Sequence, residues 1–396
     1  MIDTESRRRT TSASLETLRE VRAINSSFPY TSPIKAWKEQ KKKVVAFQCT
    51  YVPEEIIHAA GLLPIRLTAE SKDTALEEAS GYMHVNTCSF VRACLDMVLR
   101  NQYDFLDGFV TCATCDCPRR LADVWKYYHY TPFVHVIDVP RKMSERAHEF
   151  YREQLREFKH SVERTFDVRI TDDALREAIG LYNRTRALLR EIYELRKAAK
   201  PPISGSEVLE VLNAGFKMPR EQFNVLLEKL LLEARNSHRE LEGKFRVMIS
   251  GSPMNNPEFA RIIEDLGGLV VIDELCTGVR YWWDPVTMDP DIDPITALSR
   301  RYLNNFPCPR MYPPDERFDD TLQLAKDYHV DGVVCEIVRY CVQFAHDQPL
   351  LRRRLQQEGL PVLELSIEYG TSGAGQIGTR IQAFLEMLEG KERQCN

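Results

Sequence analysis

Two distant stretches of this 396-residue chain repeat one pattern: apolar run, loop, Pro-Glu, helix, glycine, apolar run. In the first, Lys43-Val44-Val45-Ala46-Phe47 leads through Pro53-Glu54 and a short helical stretch to Gly61 and the run at 62–67. In the second, the run at 245–250 leads through Pro257-Glu258 to Gly267 and the run at 269–273, with two residues inserted. Proline in a first helical turn and glycine after the last are helix-boundary signals. Further on, Asp107-Gly108-Phe109-Val110 is matched by Asp331-Gly332-Val333-Val334, and ten residues after each aspartate stands a cysteine, Cys117 and Cys341. A duplication constrains the fold more than any single motif does. It predicts two similar halves.

Each half alternates strands and helices. Strands are predicted at 108–111, 133–139, 332–335 and 361–367, and helices at 89–100, 118–128, 257–266, 343–358 and 376–388. Such alternation implies parallel sheets covered on both faces. Between the halves the pattern is long, charged and helical, with apolar residues at threes and fours, as in Leu175, Ile179, Tyr182, Leu188, Leu189 and Ile192. Thr171-Asp172-Asp173 reads as a helix start, and Pro201-Pro202 as a break. The expected class is α/β: two similar parallel-sheet domains, Rossmann-like or flavodoxin-like, flanking a helical segment. The expected boundaries are a disordered or helical arm at 1–30, a first α/β domain at 31–145, helices at 146–243, a second α/β domain at 244–390 and a tail at 391–396. The two domains would face each other across a cleft at the strand C-terminal ends, where open α/β sheets bind ligands.

The net charge of −5 gives no general affinity for nucleic acid. The Arg7-Arg8-Arg9 and Lys41-Lys42-Lys43 runs read as solvated surface. No apolar run approaches the roughly 20 residues that span a bilayer, and the polar stretch at 1–14 lacks a signal core. The expectation is a cytoplasmic protein with no membrane and no nucleic-acid partner. No GxxxxGK[ST] loop occurs, so ATP hydrolysis through a P-loop is not expected of this chain. The segment Gly370-Thr371-Ser372-Gly373-Ala374-Gly375-Gln376 reads as a glycine-rich connection rather than a phosphate site.

The chain has eleven cysteines. In a cytosolic α/β protein, thiols at strand ends point to a metal or redox centre rather than to disulfides. Thr111-Cys112-Ala113-Thr114-Cys115-Asp116-Cys117-Pro118-Arg119 follows a strand and precedes a helix, which places it in a cleft-facing loop. A helix N-terminus favours the thiolate that binds metal. Cys88 opens another helix, and Cys341 follows a strand end in the second half. A free cysteine is otherwise a small buried hydrophobe, the plainer reading for Cys94, Cys112, Cys117, Cys276 and Cys335. Cys49, Cys308 and Cys395 read as bystanders. No run has the paired CxxC pattern of a structural zinc site. Single ligands from separate loops better suit an iron–sulfur cluster at a domain junction.

Four stretches carry a family resemblance. They are Tyr51-Val52-Pro53-Glu54-Glu55-Ile56-Ile57-His58-Ala59-Ala60-Gly61-Leu62-Leu63-Pro64, Cys88 with its helix, Thr114-Cys115-Asp116 with Trp125-Lys126, and the stretch from Gly332 to Cys341. Over about 34–390 the chain resembles the 2-hydroxyacyl-CoA dehydratase and benzoyl-CoA reductase subunits. It is most similar in pattern to the shorter, C-type subunit of class I benzoyl-CoA reductases. That resemblance implies a low-potential 4Fe–4S cluster held by Cys88, Cys115 and Cys341, its fourth iron site facing a substrate cavity at a subunit interface. It implies a related cluster-binding subunit as partner, in a hetero- or homodimer. It also implies a separate ATP-hydrolysing iron–sulfur activator and an acyl-CoA substrate. The expected activity is ATP-dependent, single-electron reduction of an aromatic acyl-CoA thioester. The alternative is 2-hydroxyacyl-CoA dehydration through a ketyl radical. Cys276, within Leu275-Cys276-Thr277-Gly278, together with Cys335 and Cys117, adds thiols near the expected site. In this the chain is similar to the Cys-richer branch that includes double-cubane cluster proteins, which carry an 8Fe–9S cluster and reduce small molecules. The non-enzymatic alternative is a cluster-free scaffold subunit. No catalytic residue is assigned, although His58, Glu54 and Glu274 are candidate proton donors.

Overall fold

The computed structural model describes residues 15–69, 76–369 and 373–395. Helices α1 (Glu16–Asn25) and α2 (Ser32–Glu39) lead into a unit of β1 (Val44–Gln48), α3 (Glu54–Ala59), β2 (Leu63–Arg66), α4 (Glu77–Ser80), α5 (Ser89–Leu99), β3 (Gly108–Cys112), α6 (Asp116–Tyr127) and β4 (Phe133–Ile137). Four helices follow: α7 (Glu145–Phe166), α8 (Asp172–Glu194), α9 (Gly205–Gly215) and α10 (Arg220–Asn236). The second unit begins with β5 (Phe245–Gly251), α11 (Pro257–Asp265) and β6 (Gly268–Glu274), then α12 (Val279–Trp282), α13 (Pro294–Asn304) and α14 (Asp315–Asp327). It ends with β7 (Gly332–Val338), α15 (Val342–Gln357), β8 (Val362–Ile367) and α16 (Ala374–Cys395).

Both sheets are four-stranded and parallel, with the same strand order: β2-β1-β3-β4 and β6-β5-β7-β8. The repeated Asp-Gly has a physical cause. The Asp107 carboxylate accepts the N–H of Val44 at 2.8 Å, and the Asp331 carboxylate accepts that of Arg246 at 2.7 Å. Each aspartate fastens the start of its own strand to the central strand beside it, so Val45 pairs with Gly108 as Val247 pairs with Gly332. The repeated glycine also has a cause. Gly61 (φ 74°) and Gly267 (φ 93°) turn the chain out of α3 and α11 through the left-handed region, which glycine enters without strain.

Every residue of β1, β3, β5 and β6 but Arg246 is fully buried, as expected of parallel strands covered on both faces. One apolar core runs from the first sheet through α7–α10 into the second sheet. A second core, under the other face of the first sheet, also takes Val338 and Tyr369 from the second unit. Buried ion pairs tie α3 to the middle helices: Arg186 to Glu55 at 2.6 Å and Arg220 to Glu54 at 2.7 Å. Helix α1 packs on α9 and α10. Among the described residues, no helix is long and apolar enough to cross a membrane.

The structure differs from the expected elements at three places. Helix α6 begins at Asp116, so Cys117 lies inside its first turn rather than in a loop. Strand β7 runs on to Val338 and encloses Cys335. Helices α12–α14 fill a stretch that showed no clear period in the sequence. Within the glycine-rich segment, residues 370–372 lie outside the described residues, as do residues 1–14 of the arm.

Candidate metal centre

The C-terminal ends of β1 and β3 face those of β5, β6 and β7 across a cavity of about 210 Å3, and seven cysteines line it. From the first unit come Cys49, one residue past β1, Cys88 and Cys115, the N-cap residues of α5 and α6, and Cys117. From the second unit come Cys276 after β6, Cys308 in the irregular stretch after α13, and Cys341, the N-cap residue of α15. The walls between them are apolar, with Phe90, Val91, Pro118, Pro253 and Phe344 among them.

Neighbouring thiols set one another's proton affinity. Cys88 donates to Cys341, which holds the Cys341 thiol down at about 7 despite burial and pushes that of Cys88 well up. Cys115 donates to Cys117 in the same way, and Cys117 falls to about 7. Cys117 also accepts the N–H of Cys88 at 3.4 Å, which links the two pairs. Cys49, bonded by Cys112, falls to about 6. Burial pushes Cys276 up and takes Cys308 to about 12. Cys49 sits at φ 97°, a strained backbone conformation for a residue with a side chain.

Helices α5, α6 and α15 all point their N-termini into this cavity. Their free N–H groups and dipoles favour negative charge there. Two buried arginines, Arg66 and Arg310, also line it, and neither meets a carboxylate among the described residues. A buried cation without a counter-charge is costly. An anionic, thiolate-bound group would supply that counter-charge, so the donors present fit an iron–sulfur cluster. Among the described residues, no three His, Cys, Asp or Glu side chains are placed to grip a single metal ion. Thiols spread around a cavity suit a cluster instead, whose ligands are shared among several irons.

The structure brings Cys88, Cys115 and Cys341 to one cavity, together with Cys276 and Cys117. It does not bring Cys335 there. That thiol is fully buried within β7, opposite Ser250 and Glu364. The proton-donor candidates are also elsewhere. His58 faces Glu221 at 3.5 Å, Glu54 is held by Arg220, and Glu274 lies between Arg280 and Arg317. Tyr281 and Trp282 pack on Phe216 and Tyr193 rather than walling the cavity. Within the duplication, the counterpart of Cys341 is Cys115, not Cys117: both are N-caps after the third strand of their sheets. Strand β7 is two residues longer than β3, seven against five, which offsets the count from the aspartates. The sequence reading missed Cys49 and Cys308. Cys49 carried a usable signal, since it follows an apolar run directly, as the other strand-end thiols do. Cys308 carried none, because its arrival depends on the path of α13.

The chain is a member of the 2-hydroxyglutaryl-CoA dehydratase, D-component family, whose pattern matches residues 49–388. Among similar proteins is "Putative dehydratase subunit YjiM" of Escherichia coli (strain K12), 31% identical over 89% of this chain and 93% of that one. The C-type subunit of benzoyl-CoA reductase from Thauera aromatica is 28% identical over 88% of this chain and 91% of its own length. The beta subunit of (R)-2-hydroxyglutaryl-CoA dehydratase from Acidaminococcus fermentans is 25% identical over 89% and 94%.

Proposed function

We propose that this chain is the iron–sulfur subunit of an ATP-dependent, low-potential reductase. On this reading its cavity holds a double-cubane cluster rather than a single 4Fe–4S cluster. One observation carries the proposal: seven cysteines, four from the first half and three from the second, surround one cavity, and without Cys117, which sits inside the first turn of α6, six remain, three from each half. Cys88, Cys115 and Cys341 would hold one part of the cluster, and Cys49, Cys276 and Cys308 the other. When bound, the cluster would supply single electrons at low potential to a small substrate.

The chain's own residues support this chemistry. The N-termini of α5, α6 and α15, with Arg66 and Arg310, stabilise negative charge. Phe90, Pro253 and Phe344 give the cavity apolar walls. Since the sequence has no P-loop, ATP would be hydrolysed by a separate iron–sulfur activator. The second cluster-binding subunit would be a related chain or another copy of this one.

A second reading follows from the likeness to the Thauera aromatica benzoyl-CoA reductase chain. On that reading, Cys88, Cys115 and Cys341 hold one 4Fe–4S cluster, and the substrate is an aromatic or 2-hydroxy acyl-CoA. Iron analysis separates the two. After anaerobic reconstitution we expect about eight irons per chain, with Cys49→Ala and Cys308→Ala each losing roughly half or more. About four irons, unchanged in both variants, would favour the single-cluster reading. Metal-free protein after reconstitution would sink both and leave a scaffold subunit.

A further inference from the structure

On the six-thiol reading, which this step rests on, the cavity has two unlike walls. Cys88, Cys115 and Cys341, the N-cap residues of α5, α6 and α15, form one wall. Their neighbours Asp116, Tyr340 and Val342 are exposed, at 74% for the Asp116 side chain, 39% for Tyr340 and 56% for Val342. These thiols bond chiefly to one another and to Cys117. Cys49, Cys276 and Cys308 form the other wall, against buried cations. Arg66 is 3% exposed and donates from Nη1 to the Cys276 carbonyl oxygen at 2.8 Å. Its guanidinium lies over the rings of Phe216, at 5.1 Å, and Tyr281, at 5.7 Å.

Counting charges identifies which cation matters. Arg280 reaches Cys276, but its charge is met by Glu274 at 2.5 Å, and Arg317 is met by Glu274 and Asp347. Two arginines and two carboxylates make a balanced set. Arg310 directs its three nitrogens to the carbonyl oxygens of Thr114, Pro140 and Val139, all in the first unit. Of the two unbalanced cations, Arg66 and Arg310, Arg66 is the one whose side chain bonds a residue of the Cys49, Cys276 and Cys308 wall, at the Cys276 carbonyl oxygen. At low dielectric a fixed cation strongly favours added negative charge nearby. Burial and local charge are among the features that set iron–sulfur potentials.

We propose that Arg66 polarises the cavity, so that an electron entering at the Cys88, Cys115 and Cys341 wall settles on metal held by Cys49, Cys276 and Cys308. A low-potential one-electron donor is oxidised, metal held at the Cys49, Cys276 and Cys308 wall would be reduced by one electron, and no bond is made or broken. Arg66 acts as a positioning residue for charge. It touches no reacting atom.

The test is a dithionite titration of reconstituted full-length protein, followed by electron paramagnetic resonance, with iron measured on every sample. Wild type should show two reductive steps. Arg66→Gln should keep its iron and lower the higher-potential step by at least a tenfold change in electron affinity, about 59 mV for a one-electron couple. The other step should stay in place, and Arg66→Lys should restore the wild-type pair. Full iron in Arg66→Gln with neither step moved, or both moved equally, overturns the proposal. If Arg66→Gln loses iron, Arg66→Lys carries the test, and a shift in either of its steps overturns it. Two wild-type steps that ignore Arg66 would leave the six-thiol reading standing. A single step with about four irons would sink both.

Discussion

Glu336 is a carboxyl without company. It is fully buried in β7, and neither side-chain oxygen has a hydrogen-bond partner among the described residues. Burial, reinforced by the nearby Cys341, pushes its pKa well above the carboxylate range, against the smaller opposing pull of Arg280. The sign follows from linkage. The folded protein keeps this proton, while the unfolded chain releases it near the ordinary value of 4.5. Its contribution to stability is therefore present below that pH and is lost as pH rises toward the folded value. Urea denaturation of wild type and Glu336→Gln at several pH values checks this. We expect the wild type to lose stability relative to the variant between about pH 4 and pH 8. A constant difference would contradict the assignment. This residue was not legible in the sequence, where Glu274 looked equally placed at a strand end. Only tertiary packing shows that Glu274 forms ion pairs with two arginines and Glu336 with none among the described residues.

At the scale of elements, alternation and boundary signals were enough to read the strands and most helices. Local pattern failed where tertiary contacts set the ends. Cys335 looked like a strand-end thiol, but β7 continues three residues beyond it. The caps of α5, α6 and α15 reveal another tension. Ser204 and Glu207 form a full capping box on α9, and Thr171 caps α8. The three helices at the cavity start instead with cysteine, and none has a side-chain cap bond. Serine at an N-cap is worth about 1 kcal/mol. Cys115→Ser should therefore raise the stability of the metal-free protein by up to about 1 kcal/mol while lowering its iron content. Thermal unfolding with and without iron measures both. A variant that loses stability in the metal-free state would count against this account of α6.

Across the whole molecule, the duplication explains both the legibility of the fold and the illegibility of the site. Repeated Asp-Gly and Pro-Glu signals fix two similar sheets from local sequence. The cavity forms only where those sheets meet, and the middle helices hold them there. Arg186, on α8, reaches Glu55 on α3 at 2.6 Å, and Tyr302 on α13 donates to the same carboxylate at 2.7 Å. Removing one partner of a buried pair typically costs about 3–5 kcal/mol, because the other charge is left stranded. Arg186→Met should lower unfolding stability by that amount in urea, and a loss below about 1 kcal/mol would show that Tyr302 alone suffices. The contribution of thiols from both halves has a further consequence. A chain with one half folded offers only part of the set and no cage. On the six-thiol reading, iron is captured only after the last long-range contacts close, since metal sites of this kind do not exist in the unfolded chain. The cofactor then serves as a receipt for completed folding, and a misassembled chain would be recognisable by its lack of colour.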